Sequence, residues 1–295
     1  MPVSRPDIGR FGVWIFSGAL TASQDRSEPE IAAAVGELEE SGYGAVWLGA
    51  ASGDLAPVSS LLAHTRRIVV ATGIVSIWTN PAETTAAAYT TVAGRYPGRV
   101  LLGLGVSHSF VVERAGLRYE RPYQKMTSYL DELDGAEPPV PAPARALAAL
   151  GPRMLRLAAQ RSAGAHPYLV TPEHTLRARE VLGAGPLLAP EQKVVLENDP
   201  ATAREIGRKT VSFYLQAPNY TNNLLRLGFT EDDLAGGGSD RLIDALVAWG
   251  DPGAVAGRIR EHHDAGADHV AIQVLTADGA LPRPQWRQLA QALNA

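Results

Sequence analysis

The sequence predicts an α/β protein, a (β/α)8 TIM barrel with an insertion region, on three observations. Short apolar runs alternate with helix-forming segments from one end of the chain to the other, and eight such strands can be counted. A chain of 295 residues suits one barrel of that kind. The turn after the first strand, FGVWIFSGALT, lacks the GxGxxG pattern that would open a doubly wound dinucleotide-binding sheet. No repeat of solenoid period is visible, and no boundary divides the chain, so residues 1–295 read as one domain.

Each element has a local reason. Phe11 to Phe16 is an apolar, aromatic first strand. Glu30 to Ser41 is a helix with Ile31, Val35 and Leu38 on one stripe. Gly42 and Gly44 end it, and Ala45 to Leu48 is the second strand. Ala56 to His64 reads as a helix and Arg67 to Val75 as the third strand. Pro81 to Tyr96 is a helix that starts on proline, where the missing N–H costs nothing. After the Pro97-Gly98 turn, Val100 to Gly105 is the fourth strand. Its unbroken apolar run marks a strand covered on both faces.

A long connection follows, with a helix from Tyr119 to Asp134 and a stiff proline-rich link from Gly135 to Pro143. Ala144 to Leu150 is the fifth strand, followed by a helix from Pro152 to Arg161. Gly164 to Val170 is the sixth, followed by a helix from Pro172 to Leu182, and Gln192 to Leu196 is the seventh. Pro200 to Trp249 is helical and partly irregular; within it, the glycine triplet Gly236–Gly238 makes Leu224 to Asp240 either a lid or a loop. Pro252 to Ala265 is a helix, His269 to Leu275 the eighth strand, and a short helix from Pro284 closes the chain.

Composition narrows the function. Hydrophobic residues make up 45% and charged residues 20%, which suits a globular enzyme. A net charge of −4 without a dense basic block argues against nucleic acid and anionic membrane as partners. The absence of cysteine excludes disulfides, thiolate metal sites and cysteine nucleophiles. No run is long and apolar enough for a membrane helix, and MPVSRPDIGR lacks a signal-peptide core, so the expected location is cytoplasmic.

In parallel α/β proteins ligands bind at the carboxyl ends of strands. Four strand ends stand out here. RYPGRVLLGLGVSH leads through Gly103 and Gly105 into Val106, Ser107 and His108, either a ligand-facing loop or a strand with glycines kept for packing. Thr72-Gly73-Ile74 opens the third strand's mouth, with glycine permitting backbone geometry that other residues resist. Gly151-Pro152-Arg153-Met154 runs from strand into helix, and its N–H groups with the Arg153 charge suit a phosphate, although Pro152 gives no donor. His166 lies in the carboxyl half of the sixth strand. Of the seven histidines, His108 and His166 occupy mouth positions and could serve proton transfer. No HExxH pair, other metal-ligand spacing, GxSxG elbow or P-loop is present, so no metal is expected.

Several segments together carry a family resemblance: GYGAVWL at Gly42, the Thr72–Pro81 stretch, YPGRVLLGLG at Tyr96, GPRM at Gly151, AGAHPYL at Ala163 and DPGAVAGRIREHHDAGADHV at Asp251. In order and spacing they resemble the bacterial-luciferase-like superfamily, in its branch of oxidoreductases dependent on the deazaflavin coenzyme F420. The resemblance implies a (β/α)8 barrel with an insertion. It implies a non-proline cis peptide at Gly73-Ile74 backing the cofactor ring. It implies cofactor contacts from Gly105, Val106 and Ser107, a phosphate turn at Gly151, Pro152, Arg153 and Met154, and His108 as the catalytic residue near the reacting carbon. Trp14, Trp78 and His166 are then the expected substrate-lining residues.

One departure matters. Many relatives carry an acidic residue followed by histidine after the second strand, and this chain has Ala50 and Ala51 within Gly49-Ala50-Ala51-Ser52. The expected function is hydride transfer between F420 and a small organic substrate. The alternatives are an FMN-dependent monooxygenase, since FMN shares the ring–ribityl–phosphate layout, or a cofactor-binding paralogue without catalysis. The family implies a homodimer; the alanine faces Ala32–Ala34 and Ala86–Ala88 suit close packing either between subunits or within one.

Overall fold

A computed structural model describes residues 4–21 and 26–294; the first three residues of the N-terminal stretch lie outside it. Its strands in chain order are β1 (Phe11–Phe16), β2 (Ala45–Gly49), β3 (Val69–Thr72), β4 (Val75–Ser76), β5 (Val100–Gly105), β6 (Arg145–Leu147), β7 (Gly164–Ala165), β8 (Leu187–Leu188), β9 (Glu191–Val195), β10 (Val247–Trp249) and β11 (Val270–Val274). Every pairing is parallel. From β1 the ladder runs one way through β2, β3, β5, β6 and β7 to β8, and the other way through β11 and β9 to β10. Only Ala189 and Pro190 separate β8 from β9. There the Ala189 N–H donates to Ala165 O and the Ala271 N–H to Pro190 O, so one stretch of chain joins both arms and the sheet curls back on itself. The result is the TIM-barrel-like α/β fold expected from the strand–helix alternation.

The surrounding helices are α1 (Glu28–Glu40), α2 (Ala56–Ala63), α3 (Ala82–Arg95), α4 (Ser109–Arg114), α5 (Pro122–Asp134), α6 (Pro152–Arg161), α7 (Pro172–Leu182), α8 (Pro200–Tyr214), α9 (Pro218–Arg226), α10 (Glu231–Leu234), α11 (Asp240–Leu246), α12 (Pro252–Asp264) and α13 (Arg283–Asn294). Their starts are chemically marked. Ser27 and Glu30 form a capping box on α1, and Thr171, Asp199 and Asp251 cap α7, α8 and α12 through their side chains. Among the described residues no helix is long and apolar enough to cross a membrane.

Strand periodicity sorts the core into two clusters. Val46 and Leu48 of β2 pack outward under the helices, as do Val70 of β3 and Leu102 of β5. Ala45, Trp47, Val69, Ala71 and Leu101 face inward and fill the barrel. Trp47 dominates that interior. Its Nε1 donates to His269 Nε2 at 3.0 Å, and its ring stacks on His166 with centroids 4.1 Å apart.

Five expectations need correcting. The third strand breaks at Gly73-Ile74, whose peptide bond is cis, into β3 and β4. The fifth pairs only over Arg145–Leu147. The sixth leaves the ladder after Ala165, because Pro167 has no N–H to offer it and Leu169 turns with φ +57°. The seventh is two pieces, β8 at Leu187–Leu188 and β9 from Glu191, whose buried polar letters are internally paired: Lys193 Nζ lies 2.9 Å from Glu191 Oε2, and Gln192 bonds to Leu246 O and His262. The Leu224–Asp240 stretch is not a bare loop. It holds α10 and a three-ten turn, fastened to α8 by Arg208 through Gly238 O and Asp240.

Candidate active site

A cavity of about 770 Å³ opens at the carboxyl ends of the strands. Its walls come from the ends of β1, β2, β3, β5, β6 and β7 and from α8 and α9. Among the described residues, Arg153 and Arg226 are the charged residues in its lining, and no carboxylate lines it. Phe16, Val111 and Phe213 stand exposed in the lining as an apolar rim. Among the described residues no group of histidines and carboxylates is arranged to hold a metal.

The inner wall is built on strands. Gly73 and Ile74 line it, flanked by Trp14 of β1 and by His166 just after β7. A side chain on Gly73 would begin 2.7 Å from Trp14 Nε1 and 3.2 Å from His166 Nε2, so only glycine leaves this wall intact. His166 is 1% exposed and held on two sides, by Trp47 stacking and by a 2.7 Å bond between Nδ1 and Ala189 O. A carbonyl oxygen only accepts, so Nδ1 carries the proton and Nε2 keeps its lone pair. Burial lowers the His166 pKa to about 4, with the Lys193 charge adding to it. The ring is therefore neutral at physiological pH. Ala51, at the end of β2, is tied to the same bulge by its N–H, which donates to Ile74 O. Ala50 and Ala51 both line the cavity, so the end of β2 offers it no titratable group.

The rim is built differently. Ser107 turns the chain after β5 through left-handed backbone, φ +56°, as Ala50 does after β2 at φ +52°. That turn brings Val106, Ser107 and His108 to the cavity. His108 sits among Phe110, Tyr214 and Tyr220, with its Nδ1 3.4 Å from Asn219 Oδ1. Burial lowers its pKa, and the contact with Asn219 works against that shift.

A third corner lies where β6 runs into α6. Gly151, Pro152, Arg153 and Met154 all line the cavity. In the first turn of α6, Pro152 has no N–H and the Met154 N–H donates to Gly151 O, which leaves the Arg153 N–H at the positive end of the helix dipole. The Arg153 guanidinium lies over the Tyr123 ring, 3.8 Å from its centre, which holds the charge in place. This corner fits the phosphate of a ligand.

Two expected residues fall elsewhere. Gly105 does not line the cavity; it lies behind Ile74, where a side chain would come within 2.6 Å of Ile74 Cγ1. Trp78 does not line it either. Its Nε1 donates to Val106 O at 2.8 Å and so braces the loop that carries His108. The sequence reading missed Tyr168, Tyr214, Asn219 and Tyr220, all of which line the cavity. For the last three the one signal was aromatic density: Phe213-Tyr214 and Asn219-Tyr220 fall six residues apart in a stretch otherwise read only as helical.

Comparison with known proteins agrees with this architecture. The model of the luciferase-like monooxygenase family matches residues 10–269. Among solved structures, the chain is similar to an F420-dependent tetrahydromethanopterin reductase from Methanopyrus kandleri, at 17% identity over 100% of this chain and 99% of that one, with a TM-score of 0.74. It is similar to an F420-dependent secondary alcohol dehydrogenase, solved with an F420-acetone adduct, at 13% identity over 97% and 98%, with a TM-score of 0.72. It is also similar to the oxygenating constituent of 3,6-diketocamphane monooxygenase from Pseudomonas putida, solved with FMN, at 13% identity over 96% of each chain, with a TM-score of 0.67. No curated protein sequence matches the chain. At such identities the solved structures speak for the fold, while the family match extends over most of the sequence: the chain belongs to the luciferase-like monooxygenase family.

Proposed function

We propose that this protein is an oxidoreductase that holds a deazaflavin of the F420 type in the cavity and moves a hydride between it and a small organic substrate. The observation that carries the reading is the cavity itself. Its inner wall is the glycine bulge at Gly73-Ile74, and an edge of it is the Arg153 corner at the start of α6. An uncharged floor and a cationic edge fit a flat ring joined to a phosphate. The cofactor, when bound, supplies the two-electron chemistry.

The chain's own residues have the remaining tasks. Arg153 binds the phosphate through its guanidinium and its backbone N–H at the start of α6. The bulge sets the depth of the ring. Phe16, Val111 and Phe213 shield the substrate from water. His108 donates or accepts the substrate's proton: with Nδ1 turned to Asn219, its Nε2 is the atom available for exchange.

A second reading, an FMN-dependent monooxygenase, draws on Ala50 and Ala51, which remove the acid–base pair found in many F420-dependent relatives. One titration separates the two. The protein is mixed with F420 and, separately, with FMN at moderate salt, and fluorescence is followed. Binding of F420 at micromolar concentration or below, with FMN weaker, is the expected result. Preference for FMN would move the protein to the monooxygenase reading, and binding of neither would refute both.

A further inference from the structure

The inner wall carries two hydrogen-bonding atoms that the protein leaves unused. Trp14 Nε1 and His166 Nε2 are buried, and neither has a partner. Other buried side-chain atoms among the described residues also lack partners, but only these two belong to cavity-lining residues. Buried polar atoms are almost always paired, so an unpaired couple set in the wall of a cavity, beside Gly73, marks where a ligand could complete the bonding.

The two atoms are opposite in kind. An indole N–H can only donate. In the neutral ring His166 Nε2 can only accept, because the proton sits on Nδ1, which donates its N–H to Ala189 O. A flip of the imidazole would keep its stack on Trp47 but would lose that bond, so the bond to Ala189 O fixes the orientation. Both atoms lie within 3.2 Å of the one point where a Gly73 side chain would begin, so they serve a common place beside the bulge.

Charge and polarity then select the occupant. A carboxylate or phosphate would face the lone pair of Nε2. An ammonium group would face the indole N–H. A hydrocarbon would leave both atoms unpaired. A neutral group that accepts one hydrogen bond and donates another satisfies both.

We propose that Trp14 and His166 read the O=C–N–H edge of the pyrimidinedione ring that F420 and FMN share. Trp14 Nε1 donates to the carbonyl oxygen, and His166 Nε2 accepts the N3–H. The inference rests on the cavity holding such a ring, and the adjacent bulge is what favours a ring edge over a substrate hydroxyl. The pair does not contact the atom that distinguishes a deazaflavin from a flavin. It therefore gives affinity and orientation common to both, and any discrimination between them lies elsewhere in the cavity.

The test uses whichever of F420 and FMN the wild-type protein binds, together with its N3-methyl derivative, and reads dissociation constants by fluorescence. Methylation removes the N3 proton and keeps the carbonyls. It is expected to weaken binding to the wild type about tenfold and to have no effect on His166→Ala, which binds the parent cofactor about tenfold more weakly. Trp14→Phe is expected to weaken both ligands by the same factor. In the wild type, the 15N signal of His166 Nε2 should shift with the parent cofactor and not with the methylated one, a readout that needs no variant. Equal wild-type affinity for the two ligands, or an equal methylation penalty in His166→Ala, would overturn the proposal and return the pair to a substrate hydroxyl. Failure of the wild type to bind either parent cofactor would instead remove the functional reading on which it rests.

Discussion

The inner wall and the rim of the cavity each present a histidine, and they hold it in opposite ways. His166 is anchored on one face and one edge by groups from elsewhere in the sheet: Trp47 of β2, and Ala189 next to β8. His108 sits on a loop, among aromatic rings, with a single long contact to Asn219. Rigid strands fix a tautomer and a position, which suits recognition. A loop residue with a free ring nitrogen suits proton exchange with a substrate that comes and goes.

Acid should divide the two regions most strongly. Burial lowers His166 to about 4 and His269, beneath Trp47, to about 3, from an ordinary 6.5. Below pH 6.5 the unfolded chain takes up these protons while the folded one refuses them. Stability is therefore complete above that pH and falls as pH drops toward 4, by about 1.4 kcal/mol per pH unit for each histidine. Urea melts at pH 7, 5.5 and 4.5 check this; unchanged midpoints would mean that the Trp47 column is open to solvent.

Substitution sharpens the contrast. Gly73→Ala places a methyl group against Trp14 and His166, which have no room to retreat. Cofactor affinity should fall roughly a hundredfold or more, and the overpacked wall should also lower the thermal midpoint. Retained affinity would show that the inner wall is not where the ring lies. His108→Ala on the rim should act on turnover instead, lowering kcat about a hundredfold with KM within about twofold. An unchanged kcat would take His108 out of the chemistry. Arg153→Ala should have the smallest effect, about tenfold in affinity for the phosphate-bearing cofactor, and a larger one at low salt. A loss independent of salt would point to the Tyr123 stack rather than to the charge.

Much of this was legible in the sequence. Alternating apolar runs and helix starts located most elements, and Gly73, Ile74, Val106, Ser107, His108, Arg153 and His166 do line one cavity. What local pattern could not show was the partner of each side chain. Gly105 and Trp78 sit one layer back, since a residue beside a mouth can either face the ligand or brace its neighbour. The tyrosines of α8 and its surroundings looked like ordinary helix content until the fold carried them over the strand ends.

The sequence by itself determined the strand–helix order and the strand ends where a ligand belongs, because hydrophobic period and turn chemistry act within about ten residues. Only the tertiary structure decided that His166 is neutral, that its free atom is an acceptor, and that a lone indole donor stands beside it. Those properties depend on Ala189, Trp47 and Trp14, which come from different strands and meet only when the sheet curls on itself.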